Sequence, residues 1–134
     1  MWREQKMQGI DILVKENGSF KWKSNKVTSQ DDIYKIVGVT QEHITLPHNI
    51  YLVVNDEAEK EPGNINLMML WDDEPFSHHP VFGPVFLTGV TEAGQFISLT
   101  DFQKKWIARH LAHVALKNGM NVLAIDLRNG GAIA

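Results

Sequence analysis

A hairpin pattern near the start of the chain constrains the fold more than any other feature. Ile10–Val14 is an apolar run rich in β-branched residues, Asn17-Gly18 supplies a turn, and Ser19–Lys23 alternates polar and aromatic residues. These three parts in this order are the strongest short-range signal for a β-hairpin. The chain is therefore expected to build its core on antiparallel strands.

Further apolar runs repeat the strand pattern along the chain. Asn64–Leu70 fits either a strand or a short helix, because the run is short and almost wholly apolar. Gly83-Pro84 interrupts a longer run, and proline cannot donate a backbone hydrogen bond to a sheet, so a bulge or a strand edge is expected there. The remaining predicted strands are His43–Thr45, Ile50–Val54, Val81–Val90, Gln95–Leu99 and Met120–Leu127.

Two segments carry helix signals. Ser29 offers an N-cap to a short helix with acidic residues in its first turn, and Gly38 ends it. Thr100 and Gln103 form a capping-box pattern that opens a longer helix, which is predicted to reach about Asn118. One side of this helix is apolar and carries Phe102, Trp106, Ile107, Leu111 and Val114. The pattern predicts an α+β fold, a single domain over residues 1–134 in which one short and one long helix pack on a mainly antiparallel sheet.

The composition narrows the functions that such a domain could have. A length of 134 residues fits one core. The absence of cysteine excludes disulfides, thiolate zinc sites and cysteine nucleophiles, and it fits a cytoplasmic location. Thirteen basic and sixteen acidic residues give a formal charge of −3, so a nucleic-acid partner is not expected. No membrane partner is expected either, because no apolar run could span a bilayer and the first ten residues lack a secretory signal core.

The order of these segments is similar to that of one known family. An N-terminal hairpin, a helix ending in a Val-Gly pair, an apolar strand and a Ser-Leu-Thr helix start follow one another as in domain-of-unknown-function family 3846. The resemblance covers about residues 11–103, and residues 104–134 are interpreted as an added helix extension and terminal strand. The resemblance implies a setting in phages, plasmids and bacterial mobile elements and a polar contact role for Asn64, and it implies no defined enzymatic activity. The stretches that carry it are Ile36–Gly38, Ile50–Glu57, Val81–Gly89, Glu92–Gly94 and Phe96–Thr100.

The loop WDDEPFSHHP, residues 71–80, carries three carboxylates and two imidazoles. A metal or acid–base site would join one histidine to a carboxylate, although neighbouring histidines on an extended chain point to opposite faces. A recognition loop would instead use Trp71 and Phe76 as apolar anchors, and a solvated connector would use no side chain of the loop. All three interpretations stay open. The candidate binding residues are Trp71, Asp72, Asp73, Phe76 and His78, together with Asn64.

Two further groups of side chains have alternative roles. His110 and His113 lie three residues apart on the predicted long helix, which would permit joint metal binding or two hydrogen-bonded histidines at the core edge. Phe20 and Trp22 alternate with lysines, which suits either stacking of a nucleotide or an aromatic pair that faces the core. No Gly-x-Ser-x-Gly elbow and no Gly-x-x-x-x-Gly-Lys-Ser/Thr phosphate loop occurs. No catalytic residue and no cofactor is assigned.

These observations favour a non-enzymatic binding module, encoded by a phage or mobile element, that sequesters or blocks a host protein or a small polar ligand. An antidefence role is one form of this hypothesis. Enzymatic activity is left open, since a metal-dependent hydrolase using His110 and His113 is one alternative and a nucleotide or single-strand binder using Phe20 and Trp22 is another. A dimer is also expected, because large apolar patches are usually covered by partners. The aromatic residues behind that expectation are Trp2, Trp71, Phe76, Phe82 and Trp106.

Overall fold

The computed structural model describes residues 9–72 and 77–128, and in these ranges the chain is mostly β-structure with two α-helices. The helices are α1 (Gln30–Val37) and α2 (Asp101–Arg109), and neither is long and apolar enough to cross a membrane. A short 3-10 turn covers Pro62–Asn64. The predicted α+β class is confirmed. The strands are β1 (Ile10–Lys15), β2 (Lys23–Val27), β3 (Gln41–Leu46), β4 (Ile50–Asn55), β5 (Ile65–Leu70), β6 (His78–Phe82), β7 (Val85–Val90), β8 (Phe96–Ile97), β9 (Leu111–Ala115) and β10 (Asn121–Asp126).

The first sheet has the strand order β2-β1-β7-β4-β3, and every pair in it is antiparallel. The short strand β8 pairs with the end of β7. The predicted hairpin is present as β1 and β2, but its second strand is Lys23–Val27 rather than Ser19–Lys23. A loop of residues 16–22 therefore joins the two strands, and Gly18 takes the positive φ of 82° that the turn requires.

The second sheet has the order β6-β5-β10-β9, and the sequence did not predict it as a separate sheet. β5 and β10 run parallel, whereas the two outer strands pair antiparallel with their neighbours. Parallel neighbours require a long connection, and here the chain passes through the first sheet and α2 before β10 returns beside β5. The carboxyl ends of β5 and β10 consequently lie side by side.

The main core lies between the two sheets. Leu52 and Leu87 from the first sheet meet Leu67, Met69 and Ile125 from the second, and all five are completely buried. Ile107 of α2 joins the same core. Because a fully buried aliphatic side chain contributes roughly 1.5–3 kcal/mol relative to an exposed one, this layer is the main source of stability.

The opposite face of the first sheet is covered by α1. The hydroxyl oxygen of Ser29 accepts a hydrogen bond from the backbone N–H of Asp32 at 3.2 Å, so Ser29 is the predicted N-cap. Gly38 ends the helix with a φ of 83°. The two buried helix residues, Ile33 and Val37, form a second core cluster with this face of the sheet.

The second helix begins as predicted but is shorter. The Thr100 hydroxyl accepts from the Gln103 N–H at 3.1 Å and the Gln103 amide oxygen accepts from the Thr100 N–H at 2.8 Å, so the capping box is present. The helix ends at Arg109 instead of about Asn118. The prediction of one short and one long helix is therefore wrong in detail, because α1 has eight residues and α2 has nine.

The segment predicted as the end of the long helix is strand β9. It pairs with β10, with Leu111 opposite Ile125 and His113 opposite Leu123. The backbone hydrogen bonds of these residues are thus made to a neighbouring strand, which a helical pattern of apolar residues does not reveal. Gly119, at φ 88°, belongs to the turn between β9 and β10 rather than to a helix end.

The aromatic residues behind the dimer prediction have different environments. Trp71 and Trp106 are partly buried against the main core, and Phe82 is also partly buried. Trp2 and Phe76 lie outside the described residues. The dimer therefore stays a prediction.

Candidate functional site

The loop singled out in the sequence joins β5 to β6. Trp71 donates its backbone N–H to the carbonyl oxygen of Ser77 at 3.1 Å. Its indole ring stacks on the imidazole of His79, with ring centroids 3.8 Å apart and an interplanar angle of 17°. Both rings are partly buried, so the structure places Trp71 as a packed side chain at the base of the loop. Four loop residues lie outside the described part of the chain: Asp73, Glu74, Pro75 and Phe76.

The two adjacent histidines of the loop do not meet at one centre. His79 stacks on Trp71, whereas His78 is exposed and its Nδ1 lies 3.0 Å from the Ser77 hydroxyl oxygen. This separation follows from the alternation of side chains along β6. Within residues 9–72 and 77–128, no three His, Asp or Glu side chains are grouped to hold a metal ion.

A charged cluster lies where β5 and β10 end side by side. Arg128 donates from Nε and Nη2 to the two carboxylate oxygens of Asp126, at 3.1 and 3.0 Å. The hydrogen bonds from Arg128 hold the pKa of Asp126 below its usual range. The hydrogen bond and charge of Asp126 raise the pKa of Arg128, and the charge of Asp72 acts in the same direction. Asp72 is therefore near enough to the Arg128 guanidinium for its charge to act on it.

His110 and His113 do not share a helix face, because the helix ends before them. His110 is buried, its Nδ1 lies 2.8 Å from the carbonyl oxygen of Trp106, and its ring stacks on that indole at 4.1 Å. His113 lies in β9, is exposed, and has its ring centroid 6.0 Å from that of Phe20. The helical geometry assumed for a metal-dependent hydrolase is therefore wrong.

The two aromatic residues that were predicted to share one face of the hairpin have different environments. Phe20 is 51% exposed, whereas Trp22 is partly buried against the main core. Both residues precede β2, so the strand alternation that would place them on one face is absent. Asn64 has a contact role between two turns, since its Oδ1 accepts from the Asn17 amide at 2.6 Å and its Nδ2 donates to the carbonyl oxygen of Glu59 at 2.7 Å.

A site that the sequence did not reveal begins with Lys15, the last residue of β1. Because side chains alternate along a strand, Lys15 faces the second sheet with Leu13, while Ile12 and Val14 face α1. The Lys15 side chain is 1% exposed. Its Nζ donates to the backbone oxygen and to the side-chain Oδ1 of Asn66, each at 2.6 Å. These bonds connect the two sheets.

Asn66 can reach Lys15 because of an irregularity in β5. Ile65 pairs with Phe82 and Leu67 pairs with Val81, which leaves Asn66 as an extra residue in its strand. Such a β-bulge changes the direction of a side chain relative to the regular alternation.

Asn66 is held in place by three backbone groups. Its Nδ2 donates to the carbonyl oxygens of Lys15 and Gly83, at 3.2 and 2.8 Å. Its Oδ1 also accepts from the backbone N–H of Gly18 at 3.2 Å. The amide orientation is therefore determined by the β1–β2 loop and by the turn that precedes β7.

Lys15 and Asn66 line a cavity of about 190 Å³. Burial lowers the pKa of Lys15 to about 8, so its ammonium form still predominates at neutral pH. No carboxylate among the described residues forms an ion pair with it. Among the residues that the structure describes, only neutral oxygens accompany this buried positive charge. The other lining residues are Gly18, Ser19, Phe20, Ile65, Met120, Asn121, Val122 and Leu123.

A second cavity of about 270 Å³ lies against β3, β4 and β6. It is lined by Glu42 and Asp56, and the hydrogen bond and charge of Asp56 raise the pKa of Glu42. Both carboxyl groups are exposed, so water and salt screen their interaction. This cavity supports a ligand less well than the first, because exposed acids need no partner.

The fold and the first cavity define a two-sheet α+β domain with a small cavity that is lined by both sheets and carries one buried lysine. The chain belongs to the family described as Domain of unknown function (DUF3846), whose model matches residues 10–112. The match includes Lys15, Asn66 and the whole of α2, and β10 lies outside it. Comparison with curated proteins found no match, and neither did comparison with solved structures.

Sequence reasoning missed Lys15 and Asn66, although each has a faint signal. Lys15 ends the segment IDILVK, in which all the preceding residues except Asp11 are apolar. Asn66 interrupts the apolar run NINLMML. A lysine at a strand end and a single asparagine in a strand are both ordinary. Their meeting across two sheets depends on the bulge in β5, which has no recognisable local sequence pattern.

Proposed function

We propose that the protein is a non-enzymatic binding module that holds a small anionic ligand in the Lys15 cavity. The observation that carries this proposal is a lysine that is 1% exposed, lines a cavity and has no carboxylate partner among the described residues. An ionised group is costly to bury without an opposite charge. A small anion in the cavity would supply that charge.

The hydrogen bonds around Lys15 support a site formed in advance of binding. An ammonium group has three N–H donors, and Asn66 accepts two of them. No acceptor among the described residues takes the third, which the proposal assigns to the ligand. Asn66 is itself held by backbone groups from two turns, so the donor direction is set before a ligand arrives and little conformational freedom is lost on binding.

The proposal includes a sequestering role in a phage or mobile-element setting and a cytoplasmic location. Binding alone is sufficient to remove a small polar ligand from its surroundings, so no chemistry is required. The setting is what the resemblance to this family implies, and the absence of cysteine fits the location. The genes that flank the coding sequence test the setting, since phage or plasmid genes are expected there and a conserved metabolic operon would contradict it.

A second form of the proposal places a host protein against the loop that joins β5 to β6. Its support is Trp71, whose ring is held by the stack on His79 and by the main core beside the exposed Asp72. Rigid aromatic side chains of this kind often dominate binding energy at interfaces.

The anion proposal is tested by titrating acetate, benzoate, phosphate and sulfate into the purified protein at pH 7. Calorimetry or amide chemical shifts measure binding. The wild-type protein is expected to bind at least one of these anions, and Lys15→Met is expected to weaken that binding about tenfold to hundredfold, the equivalent of one charged hydrogen bond. Lys21→Met is the matched control, because Lys21 is exposed on the neighbouring loop and should leave the affinity unchanged.

A pH series provides a second test on the wild-type protein. Because burial lowers the pKa of Lys15 to about 8, anion affinity is expected to fall between pH 7 and pH 10 as the ammonium loses its proton. Equal affinities for the wild-type protein and Lys15→Met would mean that Lys15 only ties the two sheets together. That result, or no binding of any of the four anions, would refute the proposal.

A further inference from the structure

The charge inside the Lys15 cavity limits the charge of its ligand. Lys15 is the one ionisable side chain among the described residues that line the cavity. The other polar groups there are amides, a hydroxyl and backbone groups, which are neutral. One positive charge is matched by one negative charge, so a monoanion fits the cavity better than a dianion does.

The remaining lining of the cavity is largely apolar. Ile65, Val122 and Leu123 form part of its wall. Phe20 and Met120 also line it and are exposed, at 51% and 37%, so they lie at its opening. These two side chains come from different turns, the β1–β2 loop and the turn before β10. A ligand that reaches Lys15 therefore has an apolar body in contact with an aromatic ring and a thioether.

We infer that the ligand is a small aromatic monocarboxylate whose carboxylate pairs with Lys15 and whose ring lies against Phe20 and Met120. This inference rests on the proposed function, since it names the ligand class of the same cavity. Aromatic rings attract one another in offset or edge-on arrangements, and a methionine sulfur packs favourably at a ring edge.

The size of the cavity argues against larger anions. Pockets for drug-sized ligands measure roughly 300–1,000 Å³, and this cavity is smaller, at about 190 Å³. A cavity below that range suits a single ring that carries one carboxylate better than a drug-sized ligand. A nucleotide is larger and brings a phosphate dianion to a single ammonium.

The inference is tested with five compounds titrated at pH 7: benzoate, cyclohexanecarboxylate, benzamide, phosphate and adenosine monophosphate. Benzoate is expected to bind most tightly. Cyclohexanecarboxylate has the same charge without an aromatic face and should bind about threefold to tenfold more weakly. Benzamide has nearly the same shape without the charge and should show no binding. Phosphate and the nucleotide should both bind more weakly than benzoate.

A substitution at the cavity opening isolates the contribution of the ring. Phe20→Leu is expected to weaken benzoate about threefold to tenfold and to leave acetate unchanged. Phe20 is exposed, so the variant should keep its fold, which circular dichroism and the melting temperature check. Phe102→Leu is the matched control, because Phe102 is another exposed phenylalanine that does not line the cavity.

The outcomes separate this inference from the proposed function. If acetate or phosphate binds in a Lys15-dependent manner and benzoate binds no more tightly, the inference is refuted and the proposed function stands. Equal affinities for benzoate and cyclohexanecarboxylate, or an unchanged benzoate affinity in Phe20→Leu, also refute it. If no anion binds to the wild-type protein, both are refuted.

Discussion

The buried Lys15 should make the stability of this protein increase at alkaline pH. Burial lowers its pKa to about 8, from an ordinary value of 10.5. The unfolded chain therefore binds this proton more tightly than the folded protein does. The resulting penalty on the folded state is present in full below about pH 8, and it is relieved as the pH rises towards the pKa of the unfolded chain.

The size of the effect follows from the two pKa values. Each unit of difference corresponds to about 1.36 kcal/mol. Integrated between pH 7 and pH 10, the folded protein should gain roughly 2 kcal/mol from Lys15 alone. Lys15→Met removes this titration while keeping a side chain of similar length. Groups that titrate in both proteins contribute equally to both unfolding free energies, so they cancel in the difference between the wild-type protein and this variant.

Urea denaturation at pH 7, 8, 9 and 10, followed by tryptophan fluorescence, measures that difference. The unfolding free energy of the wild-type protein should rise by roughly 2 kcal/mol relative to Lys15→Met across the series. Lys21→Met should run parallel to the wild-type protein, because Lys21 is exposed. A constant difference between the wild-type protein and Lys15→Met at all four pH values would refute the argument that burial disfavours the ammonium.

Four further predictions address other parts of the molecule. Gln103→Ala should lower the unfolding free energy by about 1–2 kcal/mol, because this side chain completes the α2 capping box and donates to two carbonyl oxygens of the β3–β4 turn. An unchanged urea midpoint would contradict this. Asp126→Asn should lower the unfolding free energy by up to about 1 kcal/mol at pH 7. Because the Arg128 guanidinium lowers the pKa of Asp126, this loss should disappear as the pH falls through that pKa, and a loss that persists in acid would exclude the ion pair as its cause. Replacing Trp71 and Phe76 together by alanine should abolish retention of a protein partner, at about 2 kcal/mol for each true anchor, whereas alanine at the exposed His78 should not, because His78 does not support the Trp71 ring; the reverse ranking in a binding assay would favour a metal site. Light scattering at micromolar concentration should give the mass of a dimer, and a monomer mass would contradict the prediction.

Local signals in the sequence were sufficient to locate most elements. Ser29 and Gly38 bound α1, and the Thr100–Gln103 capping box opens α2, because a helix end must satisfy its own backbone groups with nearby residues. The apolar runs at β1, β4, β7 and β10 became strands for a similar reason, since each carries its own alternation or β-branched composition. The family resemblance could also be recognised from the sequence, because the order of these elements is the order of their segments in the chain.

The sequence did not reveal features that depend on residues far apart in the chain. Leu111 and Val114 fit a helical stripe as well as a strand, and pairing with β10 decided between the two. The second sheet exists because β10 returns parallel to β5 after a long connection, which no local pattern specifies. Loop histidines and helix histidines that looked like neighbours in the sequence were separated by strand alternation and by the end of α2.

The candidate site depended entirely on tertiary structure. By itself the sequence determined the α+β class, the helix starts, the hairpin and the family. It contained Lys15 and Asn66 only as a lysine at a strand end and an asparagine in an apolar run. A bulge in β5 turns Asn66 towards the first sheet, and the packing of the two sheets buries the ammonium between them. Burial is a property of the assembled sheets, and it is burial that changes an ordinary lysine into a charge in need of a partner.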